Sequence, residues 1–313
     1  MARAYGSRAQ LALAFETTYG TAPASGYTFL PFAGTTLSSE QPLIENELLG
    51  YGRDPLAPIR DAVTVDGDIT IGVDAIGIGF WLKALFGGPA TTTGSGPYTH
   101  TFHSGGTTLP SLAIETQMPE VPRFDMVAGA RANTLRIEAT RRGQLQATVG
   151  LIAQGLTGAG SSAAGTPAAI ALQRFGHFNC AITRDSVALG NTVSAELTYS
   201  NGLEAVETIR ADGLIDGVDP TIAGLRGRLV TRFADTTLLA QATSGGTCEL
   251  QFAWTIAGGP SLTWTIHRVH LPVPRRTIPG PQGIQAEFDW QASLAASPAR
   301  MCTVVLVNDQ AAY

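Results

Sequence analysis

The sequence contains few charged residues. Asp, Glu, Lys and Arg make up 14% of its 313 residues, against roughly 25% in an average globular protein, and Lys83 is its one lysine. The 25 acidic and 20 basic side chains give a formal net charge of −5. This balance argues against a protein whose main task is to grip nucleic acid, because such proteins carry a basic stripe that neutralises phosphates.

Cysteine and long apolar runs are scarce as well. Cys180, Cys248 and Cys302 are odd in number and widely spaced, which predicts reduced, buried thiols rather than a disulfide framework. No apolar run approaches the roughly 18 residues of a membrane-spanning helix, and Ala9–Phe15 is shorter than the apolar part of a signal peptide. We therefore expect synthesis in the cytoplasm and no membrane partner.

Motifs of catalysis and cofactor binding are also missing. Lys83 does not follow a glycine-rich loop that could cradle phosphates, and Gly77–Gly79 lacks the third glycine of a dinucleotide-binding fingerprint. Gly160–Ser162 lacks the second glycine that a nucleophile elbow requires. The sequence therefore predicts a protein that is not an enzyme, with no catalytic residues and no cofactor.

Four residue pairs have spacings that occur in metal or acid–base sites, namely His100/His103, His267/His270, Asp66/Asp68 and Asp216/Asp219. The histidine pairs lie in strand-like sequence, where residues three apart point to opposite faces of a sheet. The aspartates lie near glycines, which favours turns in which the carboxylate bonds nearby backbone amides. We expect no metal site at any of these pairs.

The dominant pattern is an alternation of apolar and polar residues, which is typical of strands with one buried face. It runs through Val63–Val73, Leu145–Leu151 and Cys248–Ile256. Ile76–Phe86 instead has apolar residues at helical spacing, with a counterpart near Thr236–Thr243. The sequence thus predicts a mainly β fold of two tandem β-sandwich or barrel domains, each with one flanking α-helix.

The two halves of the chain resemble each other. Thr36–Glu40 (TLSSE) matches Thr192–Glu196 (TVSAE), and each is followed by a long acidic and glycine-rich stretch, an alternating segment and a short apolar segment. A run rich in Gly, Ala and Ser separates the halves, as in a flexible connector. We predict an internal duplication, with a first domain at 1–155, a connector at 156–171 and a second domain at 172–313.

Four motifs follow one another in the first half: Phe15–Pro23 (FETTYGTAP), Gly52–Pro55 (GRDP), Tyr98–Phe102 (YTHTF) and Leu109–Leu112 (LPSL). Their order, with the length and the duplication, resembles the two-domain tail tube (major tail) proteins of long-tailed bacteriophages. The second half carries no counterpart of YTHTF. The resemblance implies that each domain is a β-sandwich or barrel of the tail tube type.

The resemblance also implies a function. The chain would be a structural virion protein that self-assembles into stacked rings and forms a conduit for delivery of genome DNA into the host. A duplicated chain would form a trimeric ring with pseudo-sixfold symmetry in the virion tail. The implied partners are further copies of the chain, a tape measure protein in the lumen, tail terminator and distal tail proteins, and transiting DNA that is not specifically bound.

Two long segments are the candidate contacts between rings. Leu43–Ile59 is too long for a hairpin turn, and Tyr199–Gly217 is its counterpart; loops of such length are usually functional. The side chains expected to reach the neighbouring ring are Leu48, Leu49, Tyr51, Arg53, Leu56, Leu203, Val206 and Ile209. A surface insertion without a partner is the alternative. The N-terminal arm Ala2–Pro23 and the tail Val307–Tyr313 are weaker candidates.

A second interpretation is a virion decoration protein or a carbohydrate-binding β-sandwich module. It requires exposed aromatic side chains, for which Trp81, Trp254, Trp264 and Trp290 are the main candidates. Their places on the apolar phase of strands or helix favour core packing instead. A hydrolase would need a carboxylate pair or a Ser/His/Asp set, and the sequence offers no convincing candidate.

Overall fold

The computed structural model describes residues 3–45, 48–92, 94–275, 280 and 283–313. The first half contains β1 (Gln10–Phe15), β2 (Thr28–Phe29), β3 (Gly34–Thr35), β4 (Ser38–Glu40), β5 (Leu43–Ile44), β6 (Ile59–Arg60), β7 (Thr64–Gly72), α1 (Gly77–Phe86), β8 (Ala90–Thr91), β9 (Tyr98–His103), β10 (Leu112–Met118), β11 (Arg123–Ala139), β12 (Gln146–Ala153) and β13 (Gly155–Ala159). The second half contains β14 (Ala168–Ala169), β15 (Cys180–Arg184), β16 (Val187–Ala188), β17 (Thr192–Ser200), β18 (Leu203–Val206), β19 (Gly217–Pro220), β20 (Gly224–Arg232), α2 (Thr237–Ser244), β21 (Thr247–Thr255), β22 (Ser261–His270), β23 (Gln285–Ala292) and β24 (Cys302–Asn308). The predicted mainly β fold with two helices is confirmed.

Helix α1 begins where a buried aspartate caps it. The Asp74 carboxylate accepts hydrogen bonds from the backbone N–H groups of Ile76 (2.9 Å) and Gly77 (2.8 Å), which have no partner within the helix. Burial raises the pKa of Asp74 above its ordinary value. Because Gly79 has no side chain, the Tyr313 ring packs directly on the helix, and its hydroxyl donates to the Ile76 carbonyl (2.9 Å). The tail is thus docked on α1.

Seven strands form a central sheet that runs through both halves in the order β4–β7–β12–β11–β17–β20–β23, with every neighbouring pair antiparallel. The halves meet where β11 pairs with β17, from Thr134 opposite Ser200 to Ala139 opposite Ala195. In β23 every second residue is buried. The central sheet therefore has one apolar face in the core and one polar face toward solvent.

A flanking sheet packs against the central sheet in each half. The first has the order β14–β2–β1–β10–β11–β13, and the second contains β15–β21–β22–β24. Strand β11 is 17 residues long and joins both of its sheets. Apolar side chains of flanking and central strands, such as Ile114 and Ile137, belong to one core.

The two halves pair their strands in the same pattern. In the first half the pairs are β1–β10, β10–β11, β11–β12, β11–β13, β12–β7 and β7–β4. In the second half the corresponding pairs are β15–β21, β21–β22, β22–β23, β22–β24, β23–β20 and β20–β17. The matched motifs TLSSE and TVSAE lie beside β7 and β20, but they pair with these strands at different positions. Ser38 is opposite Asp66, near the start of β7, whereas the matching Ser194 is opposite Val230, near the end of β20.

The segment expected to be a flexible connector is partly strand. Its first residues lie in β13, which pairs with β11, and Ala168–Ala169 pair with β2. Small side chains permit this, because the ladder is made by backbone groups. Between these strands, the buried Glu115 carboxylate accepts hydrogen bonds from the Ser162 hydroxyl (2.6 Å) and from the N–H groups of Ala163 (2.7 Å) and Ala164 (3.2 Å). The segment is therefore fixed at several points.

The motif YTHTF lies in β9, which pairs with β24 of the other half. His100 is fully buried; its Nε2 lies 3.1 Å from Asn308 Oδ1 and 2.8 Å from the Gln310 carbonyl oxygen, and its Nδ1 lies 2.8 Å from the Thr91 hydroxyl. In the second half α2 leads directly into β21, so β9 has no counterpart there. Strand β9 thus ties the first half to the second.

Candidate assembly surfaces

The two segments expected to contact other rings leave the central sheet at the same end, which we call the loop end. The first loop (residues 41–63) joins β4 to β7 and contains the β5–β6 pair, and the second loop (residues 201–223) joins β17 to β20 and contains the β18–β19 pair. The Val63 N–H donates to the Gly213 carbonyl (2.9 Å), which joins the loops. Tyr199 lies outside the second loop, buried in β17.

The first loop exposes apolar side chains. Leu49 is 94% exposed and Tyr51 is 68% exposed. Leu48 and Arg53 are exposed as well, and Leu56 is half-buried. The hairpin at the base of the loop adds three exposed apolar residues, Leu43, Ile44 and Ile59. Contiguous exposed apolar side chains mark a surface that another molecule covers.

The second loop folds back on the first half. Leu203 is buried with Leu109 and Val218, so it supports the loop from inside and does not present an exposed surface. Val206 is half-buried, whereas Ile209 is fully exposed. The three residues of this segment that were expected to reach a neighbouring ring are thus one core residue, one half-buried residue and one exposed residue.

An arginine clip shapes the second loop. The Arg210 guanidinium bonds both carboxylate oxygens of Asp212 (3.0 and 2.7 Å) and also Asp216 (3.1 Å). Hydrogen bonds from Arg210 and from the Leu214 N–H lower the pKa of Asp212 to about 2. Asp216 is thus engaged by Arg210, and its predicted companion Asp219 lies in β19. These acids do not converge on a common ligand site.

Two asparagines that the sequence patterns did not single out hold the base of the second loop. The Asn201 side-chain amide donates to the carbonyls of Leu85 (2.9 Å) and Ala132 (2.9 Å). The Asn133 side-chain oxygen accepts a hydrogen bond from the Leu203 N–H (3.0 Å). Asn133 lies within β11 and Asn201 follows the last residue of β17, so their role is visible only once β11 and β17 are paired.

The solvent face of the central sheet carries ionised side chains in rows across the strands. Glu138, Glu196, Arg228 and Asp289 stand next to one another on β11, β17, β20 and β23. Arg228 bonds Asp289 (2.8 Å). The acidic residues of this face, Glu40, Asp66, Asp68, Glu138, Glu196, Glu287 and Asp289, outnumber its arginines, Arg136, Arg226, Arg228 and Arg232. The face is therefore net acidic.

Asp66 and Asp68 belong to this face and do not form a turn. They lie in the continuous strand β7, so the turn predicted from their neighbouring glycine is wrong. Gly67 serves a different purpose, because a Cβ at this position would lie 2.6 Å from backbone atoms of Thr36 and Leu37. The glycine allows the neighbouring edge strand to approach β7 closely.

The fold gives the two histidines of each pair different surroundings. His100 is buried and His103 is exposed on β9, as expected for residues on opposite faces. His267 contacts Glu249 (3.4 Å) and Thr303 (2.9 Å). Among the residues that the structure describes, no group of three or more His, Cys, Asp and Glu side chains could hold a metal ion, and no helix is long and apolar enough to cross a membrane.

The aromatic side chains offer no exposed stacking platform of tryptophans. Trp81, Trp254, Trp264 and Trp290 are all buried, and these are the four tryptophans of the chain. The three cysteines are free thiols, and burial raises the pKa of Cys180 to about 12.

The comparisons with known proteins agree with this architecture. Residues 6–292 match a family model described as "Phage tail tube protein". No curated protein matches the sequence. The matched region includes the first flanking sheet, the central sheet and both loops, and it ends before β24 of the second flanking sheet. With its mainly β fold and a family match along most of its length, the chain belongs to the phage tail tube protein family and is a structural component of the phage tail.

Proposed function

We propose that three copies of this chain close a ring and that the rings stack into a tube through which genome DNA passes. The observation that carries the proposal is the central sheet, which crosses from one half to the other and whose outer strands, β4 and β23, have unpaired edge positions among the described residues. The repeated strand pairing supports an internal duplication with domains at 1–155 and 172–313. A trimer of a duplicated chain then has six similar units around its axis.

The two edges of the central sheet are complementary. Within the chain, β17 has β20 on one side and β11 on the other. Its counterpart in the first half, β4, pairs with β7 alone among the described residues, and Ser38–Glu40 are exposed. At the opposite edge, β23 pairs with β20 along its length but with β22 only at Ala292 and Gln291. Such edges are templates for another chain.

Edge-to-edge contact between different surfaces of identical chains generates a ring when the rotation closes. The β11–β17 junction inside the chain is the model for this contact, because it already joins two similar units. We propose that β4 of one copy meets the β22–β23 side of the next copy. The sheet would then continue around the whole ring without a free edge.

The solvent face of the central sheet is the proposed wall of the lumen. Its acidic side chains outnumber its arginines, and Arg136 and Arg228 each bond acidic neighbours (2.8 Å to Glu196 and 2.8 Å to Asp289). Arginines held in this way are less available to phosphates. Binding of DNA by free basic groups would release counterions and hold the DNA in place, whereas a net acidic wall lets it pass.

Reversing one charge on this face should make assembled tubes retain DNA. We expect Asp289→Lys tubes to co-sediment with short duplex DNA, and the bound fraction should fall steeply as salt rises. Glu249→Lys is the matched control, because it changes the net charge equally on β21 of a flanking sheet. Equal DNA retention by both variants would show that the central face does not line the lumen.

The proposed function is tested by sedimentation and negative-stain electron microscopy of the purified full chain. We expect trimeric rings and, at higher concentration, hollow tubes. A protein that stays monomeric under all assembly conditions would contradict the proposal. Tape measure, tail terminator and distal tail proteins are the proposed partners within the virion, and the first and second loops are the proposed contacts between successive rings.

A further inference from the structure

Phe178 is an exposed aromatic residue held in a fixed position. It is 83% exposed and lies in the 3-10 turn His177–Asn179. Both neighbours are anchored, since His177 Nδ1 accepts a hydrogen bond from the Thr140 N–H (3.1 Å) and the Asn179 amide donates to the Thr255 carbonyl (3.0 Å). An aromatic ring on a rigid turn loses little conformational freedom when a partner covers it, so Phe178 is suited to a contact.

A groove of about 590 Å³ lies beside Phe178. It runs between the β11–β12 turn and the strands β15 and β17. Its apolar lining includes Phe178, Ile182, Leu189 and Val193, and its charged lining consists of Arg141 and Arg232. Val193 is also exposed, at 38%. An apolar floor with basic residues at its margin fits an apolar, acidic segment.

The groove and the loops lie at opposite ends of the central sheet. The first loop leads into β7, whose nine residues span roughly 30 Å at about 3.3 Å per residue, and the β11–β12 turn lies beyond the far end of that strand. We call this the turn end. A loop therefore extends away from the groove of its own chain, and the occupant of that groove must come from another molecule.

The two ends of the central sheet carry opposite net charge, basic at the turn end and acidic in the loops. The exposed arginines Arg141, Arg142, Arg174 and Arg232 outnumber the exposed acidic residues Asp185 and Asp235 at the turn end. In the two loops, the acidic residues Glu45, Asp54, Asp61, Glu204, Glu207, Asp212, Asp216 and Asp219 outnumber Arg53, Arg60 and Arg210. Opposite charge on opposite ends favours head-to-tail contact between copies and disfavours contact between like ends.

We propose that the groove beside Phe178 receives the tip of the first loop of a second copy in the next ring. This inference rests on the proposed stacking of rings and names the surface that completes it. Leu49 and Tyr51 would enter the apolar part of the groove, while Glu45 and Asp54 would lie near Arg141 and Arg232. A contact between two different surfaces repeats without limit along an axis, as a tube requires.

Two variants test the pairing of loop and groove. Phe178→Asp damages the groove and leaves the loops intact, and Leu49→Asp damages the loop and leaves the groove intact. We expect each variant alone to form single rings in electron micrographs and to lose stacked tubes. Val121→Asp is the matched control, because Val121 is an exposed valine in the β10–β11 turn, far from the groove. We expect normal tubes from it.

Mixing the two variants gives the sharper result. A Phe178→Asp ring still offers intact loops, and a Leu49→Asp ring still offers an intact groove, so one productive interface can form between them. We expect pairs of stacked rings in the mixture and no longer stacks, because the outer ends of each pair are defective. Single rings alone in the mixture would overturn the assignment of the loop tip to this groove.

Other outcomes separate the two proposals. Tubes of normal length from Phe178→Asp would overturn the docking site while leaving ring stacking intact. Wild-type protein without rings would overturn the proposed function and this inference with it. Thermal unfolding of each variant, monitored by circular dichroism, checks that loss of stacking does not come from loss of folding, and the same Tm as wild type is expected for both exposed substitutions.

Discussion

Replacing Ser39 with proline should yield a folded monomer that no longer closes rings. Just before β4, the Thr36 N–H donates to the Asp68 carbonyl (2.8 Å), and the N–H groups alternate in direction along an antiparallel strand. The N–H groups of Ser38 and Glu40 therefore face β7, and the N–H of Ser39 faces away from it. Proline at this position removes a donor from the free edge and spares the bonds to β7.

Sedimentation measures the effect of this substitution directly. We expect Ser39→Pro to sediment as a monomer at concentrations where wild-type protein forms trimers. Ser39→Ala is the control, because it keeps the backbone N–H and should form rings as wild type does. Rings of normal size and yield from a folded Ser39→Pro protein would mean that the β4 edge is not the seam between copies.

Replacing Gly227 with alanine should strongly destabilise the second half of the central sheet, where β20 lies between β17 and β23. A Cβ at this position would fall onto the Glu196 carbonyl oxygen of β17 and lie 2.5 Å from the Trp290 ring of β23. Overpacking typically costs 1–3 kcal/mol. The Glu196 carbonyl belongs to the backbone of β17, which cannot rotate away from the clash as a side chain can. We expect a loss of about 3 kcal/mol in the free energy of unfolding and a Tm lower by roughly 5 °C for a chain of 313 residues.

Gly224 provides the comparison on the same strand. A Cβ at Gly224 would have no heavy atom within 4 Å, so Gly224→Ala should leave the Tm nearly unchanged or slightly higher. Calorimetry of both variants separates crowding from the general loss of a glycine. A Gly227→Ala protein as stable as Gly224→Ala would show that β17 and β20 can move apart at low cost.

Alternation and helical spacing predicted much of the fold. The pattern in Val63–Val73 gives β7, and the apolar spacing in Ile76–Phe86 gives α1 nearly to its ends. Both predictions depend on local periodicity, which is set by the geometry of the backbone. The loops were likewise found by their length, although their short paired strands were not anticipated.

Long-range pairing was not predictable in the same way. The pattern in YTHTF indicates a strand but carries no information about its partner, and β24 lies in the other half. The connector illustrates a second difficulty, since a run of small residues has no apolar face and yet forms backbone ladders. Glu115 was overlooked because a carboxylate in a strand reads as solvent-exposed, whereas here it is buried and satisfied by hydrogen bonds.

Phe178 was overlooked for a related reason. It is a single aromatic residue in polar sequence, where periodicity offers no signal. Its exposure becomes visible only when the neighbouring turn is fixed by Thr140 and Thr255, which are distant in the chain. A lone large apolar residue flanked by hydrogen-bonding side chains is the feature that could have drawn attention to it.

The pairing of β9 with β24 can form only late in synthesis, because the two strands are far apart in the chain. His100 and Asn308, which meet in this pairing, are 208 residues apart. At a ribosomal rate of about 5–20 residues per second, β9 waits roughly 10–40 s for its partner to emerge. Throughout this interval the edge of β9 that β24 will cover is a template for pairing with a neighbouring nascent chain, so the newly made protein carries an aggregation-prone edge until β24 has emerged.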